Sequence, residues 1–402
     1  MSDFMKLLLN TESLIPPFTG IGNYTLNLLE QLQAEDVEII DCFQGANFCS
    51  VETALANAVA ASDRYLHKDD EGMKRSVWQT VESQLREVLK RWTFTYRARE
   101  LLLDARRRIR AGERRYYLYH EPNFILKPHA GPCVATIHDL SFLHYPQFHP
   151  RKRVEWLTAK LPQTLQRADF LITDSDVIRN ELIGDFGVSA DRVRTVYLGA
   201  SHAYHPQTAG QTGLPLERYG LRHGRYVLFV GTLEPRKGVD TLIEAWCHLP
   251  PRLREEYPLV LAGAPGWHNQ ALNDRIKSLE LSHGLRQLSF VPGSDLPALY
   301  AGAAIFAYPS LYEGFGLPVL EAMQCAVPVI CTADTSMSEF AQGSALLVER
   351  GNIDQLTVQL NDLLGDPALR ISMAAAGLLR AEAFSWKRCA QETLEIYRAV
   401  SP

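Results

Sequence analysis

A chain of 402 residues with 46% apolar composition is long enough for two globular domains of about 200 residues each, more than one hydrophobic core organises. A formal net charge of -5 argues against a nucleic-acid binder driven by bulk electrostatics, and seven cysteines with no pair at metal-ligand spacing fit free thiols in a reducing compartment. The amino-terminal MSDFMKLLLNTES has too short an apolar run for a secretory signal, and nothing approaches the roughly 20 apolar residues that span a bilayer. The expected location is therefore the cytoplasm, with any membrane contact peripheral.

Short β-rich runs alternate with helical patterns from end to end. The first predicted strands are KLLL and VEII, with FTGIGNYTLNLLEQL between them. GIGNYT half-matches a dinucleotide fingerprint, but the third glycine is missing and the loop sits about ten residues past its strand, so NAD is not expected. Residues 54–115 depart from the alternation, being helical in pattern and basic late on. From Arg86 to Arg115 there are 11 Lys or Arg against 4 acids, a net +7 inside an acidic chain. Such a run is either a solvated helix face or a surface for anionic lipid or a pyrophosphate-bearing acceptor. Leu85, Val88, Leu89, Trp92, Phe94 and Tyr96 interleave with the charges and are expected chiefly to pack on the sheet.

RYYLYH, PCVATI, DFLIT and VRTVY complete the first set of strands. His138 follows PCVATI, where a lone histidine is often structural. TDSD places Asp174 and Asp176 after FLIT at the start of a helix, so Asp174 or Ser175 is expected as the N-cap rather than part of a metal site. The stretch from 199 to 221 is polar, contains Gly, Pro and Thr, and lacks periodicity, which marks a boundary. The domains are expected at residues 1–200 and 222–383, joined by a linker over 201–221 and followed by a closing helix over 384–402.

RYVLFVG, LVLAG, QLSFVP, AIFAY, VPVIC and ALLV supply the second set of strands. Most strands are apolar on both faces, as parallel strands covered by helices are, so the fold class is α/β with two Rossmann-like domains facing a cleft. Ligands then lie beyond the carboxyl ends of the strands. After RYVLFVG, Gly231 ends a strand and GTLEPRKG puts Arg236 and Lys237 beside a helix amino terminus, where cations and free N–H groups suit a diphosphate. The Walker spacing is absent. In YEGFGLPVLEA, Gly314 and Gly316 permit close backbone approach, Pro318 suits a first helical turn, and Glu313 and Glu321 flank the turn. Taken alone, Glu313 reads as a helix-cap acid and Glu321 as an exposed helix residue; together they can hold a polyhydroxyl ligand while amides cradle its phosphate.

GTLEPRKG and YPSLYEGFGLPVLEAMQCAVPVI together resemble the signature of the family 4 retaining glycosyltransferases of the GT-B fold. LVLAGAPGW, FVPGSDLPALYAGA, FSWKRCAQETLEIYRAV, FTGIGNYTLNLLEQL, ATIHDLSFLHYPQF and ADFLITDSDVIRNEL extend the likeness over most of the chain, whereas 54–115 carries no recognised motif. The resemblance implies that Arg236 and Lys237 bind the donor diphosphate, that Glu321 holds the ribose, and that Glu313 with the amides of Phe315, Gly316 and Leu317 holds the transferred sugar and distal phosphate. The backbone near Gly293 would meet the base, although VPGSDL is a few residues shorter than the usual loop. His138 would reach the donor sugar across the cleft, Gly20 and Gly22 would form a glycine loop facing donor and acceptor, and the last helix would cross back to the first domain. Neither metal nor other cofactor is implied. The implied activity is retaining hexosyl transfer, of mannose or a related sugar from a GDP-linked donor, to a glycan or lipid-linked acceptor in bacterial polysaccharide assembly. The alternatives are another GT-B enzyme, such as a nucleotide-sugar epimerase, or a non-catalytic nucleotide-sugar binder.

Overall fold

The computed structural model describes residues 5–16, 18, 20–35, 37, 39–70, 93–264, 270–282, 284–288 and 291–401. The first sheet contains β1 (Lys6–Asn10), β2 (Ile39–Gln44), β3 (Asn47–Ser50), β4 (Leu118–Glu121), β5 (Cys133–Ile137), β6 (Phe170–Thr173) and β7 (Val193–Thr195), in the order β3-β2-β1-β4-β5-β6-β7. All pairs are parallel except β2 with β3, a hairpin turning at Gly45 that the sequence pattern does not announce. The second sheet contains β8 (Val227–Val230), β9 (Leu259–Ala262), β10 (Arg286–Leu288), β11 (Ile305–Tyr308), β12 (Val329–Thr332) and β13 (Leu346–Val348), all parallel, in the order β10-β9-β8-β11-β12-β13.

Every residue of β5, β9, β11 and β12 is buried, because helices cover both faces of each sheet. Strand order reverses between β1 and β4 in the first sheet and between β8 and β11 in the second, and each reversal opens a crevice beyond the carboxyl ends of its strands. This is the GT-B arrangement of two Rossmann-like domains.

Residues 209–217, inside the expected linker, form a helix (Ala209–Glu217) that packs on the helix Leu296–Ala301 of the second domain. A capping box between Thr208 and Gln211 starts it, and Leu216 is buried. Gly210, Gly213 and Pro215 mask its periodicity in the sequence. The last helix, Trp386–Val400, starts on the N-cap Ser385 and buries Trp386, Cys389, Ala390, Thr393, Leu394 and Tyr397, a stripe at helical spacing. It packs on the helix Gly20–Gln33 and on β6, so the chain ends on the first domain. Gly199 allows this crossing: a Cβ there would lie 2.1 Å from the backbone nitrogen of Trp386.

The basic segment contributes the helices Val51–Asp70 and Thr93–Arg110. Residues 71–92, with Leu85, Val88, Leu89 and Trp92, lie outside the described residues, as do the side chains of Phe94 and Tyr96. Arg106, Arg108 and Arg110 are exposed, but Arg107 is buried, bonded to Asp104 at 2.6 Å and stacked over the Phe43 ring.

Candidate active site

The loops after β8 and β11 meet at the strand-order reversal of the second sheet. After β8 the chain passes Gly231, makes a 3-10 turn over Pro235–Lys237, and enters the helix Val239–Cys247 through Gly238, whose φ is +68°. A side chain at Gly238 would place its Cβ 2.0 Å from the Pro309 carbonyl oxygen, so the glycine lets the two loops touch. Leu311 N–H donates to the Arg236 carbonyl at 2.8 Å across this contact.

Lys237 Nζ donates to Glu313 Oε1 at 2.6 Å, Arg236 Nη1 lies 3.7 Å from Glu313 Oε2, and Ser310 Oγ donates to Glu313 Oε1 at 2.6 Å. Arg236 also bonds Glu234 at 2.6 Å and the Tyr312 carbonyl, leaving its Nε buried without a partner among the described residues. Burial works to raise the Glu313 pKa, but Lys237 and Arg236 outweigh it and hold the carboxyl below its ordinary value. Burial lowers the Lys237 ammonium, with Arg236 adding to the effect and Glu313 opposing it. Two cations and a carboxylate thus form one enclosed, hydrogen-bonded group, a setting in which charge interactions are stronger than in water.

Beyond Glu313, Gly314 sits where a Cβ would come within 1.9 Å of the His138 carbonyl oxygen, and Gly316, at φ +105°, caps the helix Leu317–Gln324. Ser336 Oγ holds the turn by donating to the carbonyls of Glu313 and Phe315 at 2.8 and 3.2 Å, and the Phe315 ring stacks on Phe340. The amides of Phe315, Gly316 and Leu317 donate to no protein acceptor among the described residues, as expected at a helix start. Glu321 stands on the next turn. It is half-buried by area, yet its carboxyl sits deep enough for desolvation to raise it to about 7, against the lowering influence of Tyr300 and Tyr204. Gly293 lies in an exposed turn before the helix Leu296–Ala301, with no atom of the described residues within 4 Å of a Cβ placed there.

His138 ends β5 with both ring nitrogens engaged inside the first domain: Nδ1 pairs with Asp174 Oδ2 and Nε2 with the Pro122 carbonyl, each at 2.7 Å. A carbonyl only accepts, so Nε2 carries a proton. Burial lowers the His138 pKa, but Asp174 and the Pro122 carbonyl reverse this and hold it above its ordinary value. A direct bond from this ring to a ligand therefore requires one partner to be displaced. Gly20 and Gly22 occupy the first turn of the helix Gly20–Gln33 rather than a free loop, and Gly22 packs against the turn after β1, where its Cβ would stand 3.0 Å from the Ser13 carbonyl oxygen. In TDSD, Ser175 is the N-cap, Asp174 serves His138 and Asp176 turns to Thr195, so the two aspartates diverge.

Several site residues carry no sequence signal. Tyr312 donates to Glu181 Oε2 at 2.5 Å and accepts from Leu140 N–H at 3.1 Å, lodging a second-domain side chain in the first domain. Glu339 accepts the N–H groups of Asp176 and Val177 at 2.9 and 2.6 Å, capping a first-domain helix from across the cleft. The Asp139 carboxyl, bonded by Ser141, lies in the field of Arg236, which with Ser141 overcomes burial and lowers its pKa.

Residues 18–204 match Glycosyltransferase Family 4, and residues 220–379 match Glycosyl transferases group 1. O-antigen chain mannosyltransferase B of Escherichia coli is 35% identical over 98% of this chain and 100% of its own length. This chain belongs to glycosyltransferase family 4. A shorter likeness, 29% over 65% of this chain and 33% of the relative, links this family 4 enzyme to the serotype-specific mannosyltransferase WbdA of Escherichia coli. Among solved structures, sucrose-phosphate synthase from Thermosynechococcus elongatus aligns with a TM-score of 0.70 at 19% identity over 98% of each chain. Anabaena HepE in complex with UDP-glucose aligns with a TM-score of 0.66 at 18% identity, over 98% of this chain and 100% of that one. These structures share the GT-B fold with this glycosyltransferase. Among the described residues no helix is long and apolar enough to cross a membrane.

Proposed function

We propose that this glycosyltransferase moves a mannosyl unit from GDP-mannose to a glycan or lipid-linked acceptor, with retention of configuration, during O-antigen polysaccharide assembly. The observation that carries the reading is the Arg236–Glu313–Lys237 group at the strand-order reversal of the second sheet. The full-length likeness to a mannosyltransferase supports the sugar, and the GTLEPRKG motif supports the guanine nucleotide.

In this reading the donor diphosphate contacts Arg236, Lys237 and the free amides at 315–317, the ribose hydroxyls donate to Glu321, and Glu313 faces the sugar. The bond from the anomeric carbon to the β-phosphate oxygen breaks, its electron pair leaving with GDP. The acceptor oxygen bonds the same face of that carbon, and its proton passes to the departing phosphate oxygen. Arg236 and Lys237 stabilise the charge that develops on GDP.

The test incubates the purified protein with GDP-mannose, UDP-glucose or dTDP-rhamnose and a panel of glycan acceptors, and assigns the product anomer by NMR. An α-mannoside from GDP-mannose, formed equally in excess EDTA, is expected. Turnover only with a uridine donor overturns the nucleotide assignment, a β-anomer overturns retention, and sugar conversion without acceptor favours an epimerase. The reading also includes peripheral attachment to anionic membrane through the exposed Arg106 and Arg110. Salt-sensitive sedimentation with anionic vesicles is expected to fall in Arg106→Gln/Arg110→Gln, and unchanged sedimentation rejects that surface.

A further inference from the structure

Away from the cleft, the first domain carries a half-open cavity of about 580 Å³, a size ordinary for a small-molecule site. It lies over the sheet face that carries Leu8, Phe43 and Tyr119, between the helix Thr93–Arg110 and the segment Lys127–Ala130. Its wall carries Arg107, Arg108, Arg115, Lys127, His129 and Arg167, and no carboxylate is among the described lining residues. Lys127 pairs with Glu12, and Arg107 with Asp104. Arg108, Arg115 and Arg167 have no carboxylate partner among the described residues. The Arg167 guanidinium reaches the Lys127 carbonyl at 3.4 Å, which holds it at the cavity edge.

Three guanidiniums without a carboxylate partner among the described residues, set around an aromatic floor of Phe43, Phe48 and Tyr119, suit an anion with an apolar neighbour, since guanidinium fits phosphate oxygens and the rings offer no polar partner there but the Tyr119 hydroxyl. That hydroxyl is already spent, donating to Glu121 Oε2 at 2.5 Å. We propose that this cavity binds a phosphate or diphosphate monoester carrying an apolar substituent, with Arg108, Arg115 and Arg167 on the phosphate and Phe43 and Phe48 on the substituent. Arg115, Lys127 and Arg167 precede β4, β5 and β6, so the cavity lies at the amino ends of these strands, opposite the crevice, and the binding does not depend on the proposed transfer reaction.

The cavity also contains its own reporter. His129 Nε2 donates to the Tyr117 carbonyl at 2.7 Å, and the ring's pKa is lowered by burial and by the nearby charges of Arg107 and Arg167. An anion in the cavity offsets those charges, so its arrival raises the His129 titration midpoint.

The experiment titrates the full-length protein with hexyl phosphate, inorganic phosphate and pyrophosphate, following binding by calorimetry and the His129 ring by NMR over a pH series. Hexyl phosphate is expected to bind at least tenfold more tightly than inorganic phosphate and to move His129 upward. Arg108→Gln/Arg115→Gln/Arg167→Gln should weaken it tenfold or more, with an unchanged far-ultraviolet spectrum because all three side chains are exposed. Lys237→Ala should leave the His129 response intact, which separates this cavity from the donor cations. A parent protein that transfers no sugar yet shows the response keeps this inference while ending the proposed reaction. Absence of a His129 shift, or unchanged affinity in the triple variant, overturns the inference. Inorganic pyrophosphate binding as tightly as hexyl phosphate overturns the apolar part and leaves a site for free phosphate.

Discussion

Lys237 and Glu313 share a 2.6 Å bond inside the protein; without Lys237, Glu313 keeps Ser310 and Arg236, whereas without Glu313 the Lys237 ammonium loses its ion-pair partner. In the proposed reaction the Lys237 ammonium acts on charge that develops as the donor breaks, so Lys237→Ala is expected to lower kcat by about 10² to 10³ while donor affinity changes less. Single-turnover kinetics beside donor titration check this, and a loss confined to affinity contradicts the role. Glu321 makes a different prediction. The folded protein holds its proton more tightly than the unfolded chain, so ligand-free stability falls as pH rises from the ordinary value of 4.5 to about 7. A ribose needs the carboxylate form, so donor affinity should rise with pH through about 7 and then level. Glu321→Gln should bind more weakly with a flat profile, and a profile that keeps its slope in the variant assigns the titration elsewhere. His138 shows the limit of reading one residue at a time: the strand-end position is plain in PCVATIHD, whereas the Asp174 and Pro122 contacts that occupy its ring come from distant segments.

At the level of elements, each of the twelve apolar runs overlaps a strand, because a parallel strand in a helix-covered sheet announces itself by composition; β2 runs on past VEII to Gln44, and Ser289 and Phe290 of QLSFVP lie outside the described residues. β3 escaped notice because NFCS is short and half-exposed, and an antiparallel edge strand has little apolar signal. The helix Ala209–Glu217 escaped for the opposite reason, its glycines and proline resembling loop chemistry while a capping box and tertiary packing hold it. Glu339 belongs to one short helix and caps another, Asp176–Phe186, with Tyr197 Oη bonded to it at 3.2 Å. Glu339→Ala should lower stability by about 1 kcal/mol, as loss of an N-cap does, and Glu339→Gln should restore only part of it, since its single carbonyl oxygen replaces one of the two acceptors. Thermal melts of the two variants check this; equal destabilisation by both would show that the charge, rather than the acceptor geometry, holds the helix.

For the whole molecule, the cleft closes on backbone contacts that only glycine permits. Gly314 meets the His138 carbonyl, and Tyr312 and Glu339 fasten the second domain to the first on either side. Gly314→Ala would drive a Cβ to 1.9 Å from that carbonyl oxygen, backbone against backbone, so the domains must separate. The expected result is a larger radius of gyration by small-angle scattering and at least a tenfold loss of transfer, with each domain still folded. A variant of unchanged radius and activity would mean that the contact at Gly314 does not set the closure. The last helix adds a second tether, its Tyr397 hydroxyl meeting His120 Nδ1 at 2.5 Å under the first sheet.

The two α/β sheets, the loops that carry Arg236, Lys237 and Glu313, and the family are legible in the chain, because apolar runs and glycine-spaced turns are local signals that survive without neighbours. An N-cap at Asp174 or Ser175 was legible for the same reason, since a cap acts within one helical turn, and the structure places it at Ser175. The pairing of Lys237 with Glu313, the engagement of His138 by Asp174, and the placement of Tyr312 and Glu339 across the cleft were decided only by tertiary structure. These contacts join residues from 36 to 163 positions apart, and no periodicity or spacing encodes a partner at such separations. The second cavity belongs to the same class: the arginines of 106–110 read as a solvated face or membrane surface until folding turned Arg107 inward and set Arg108 beside Arg115 and Arg167. Charge is written in the chain, but the direction in which it points is fixed by what the backbone packs against.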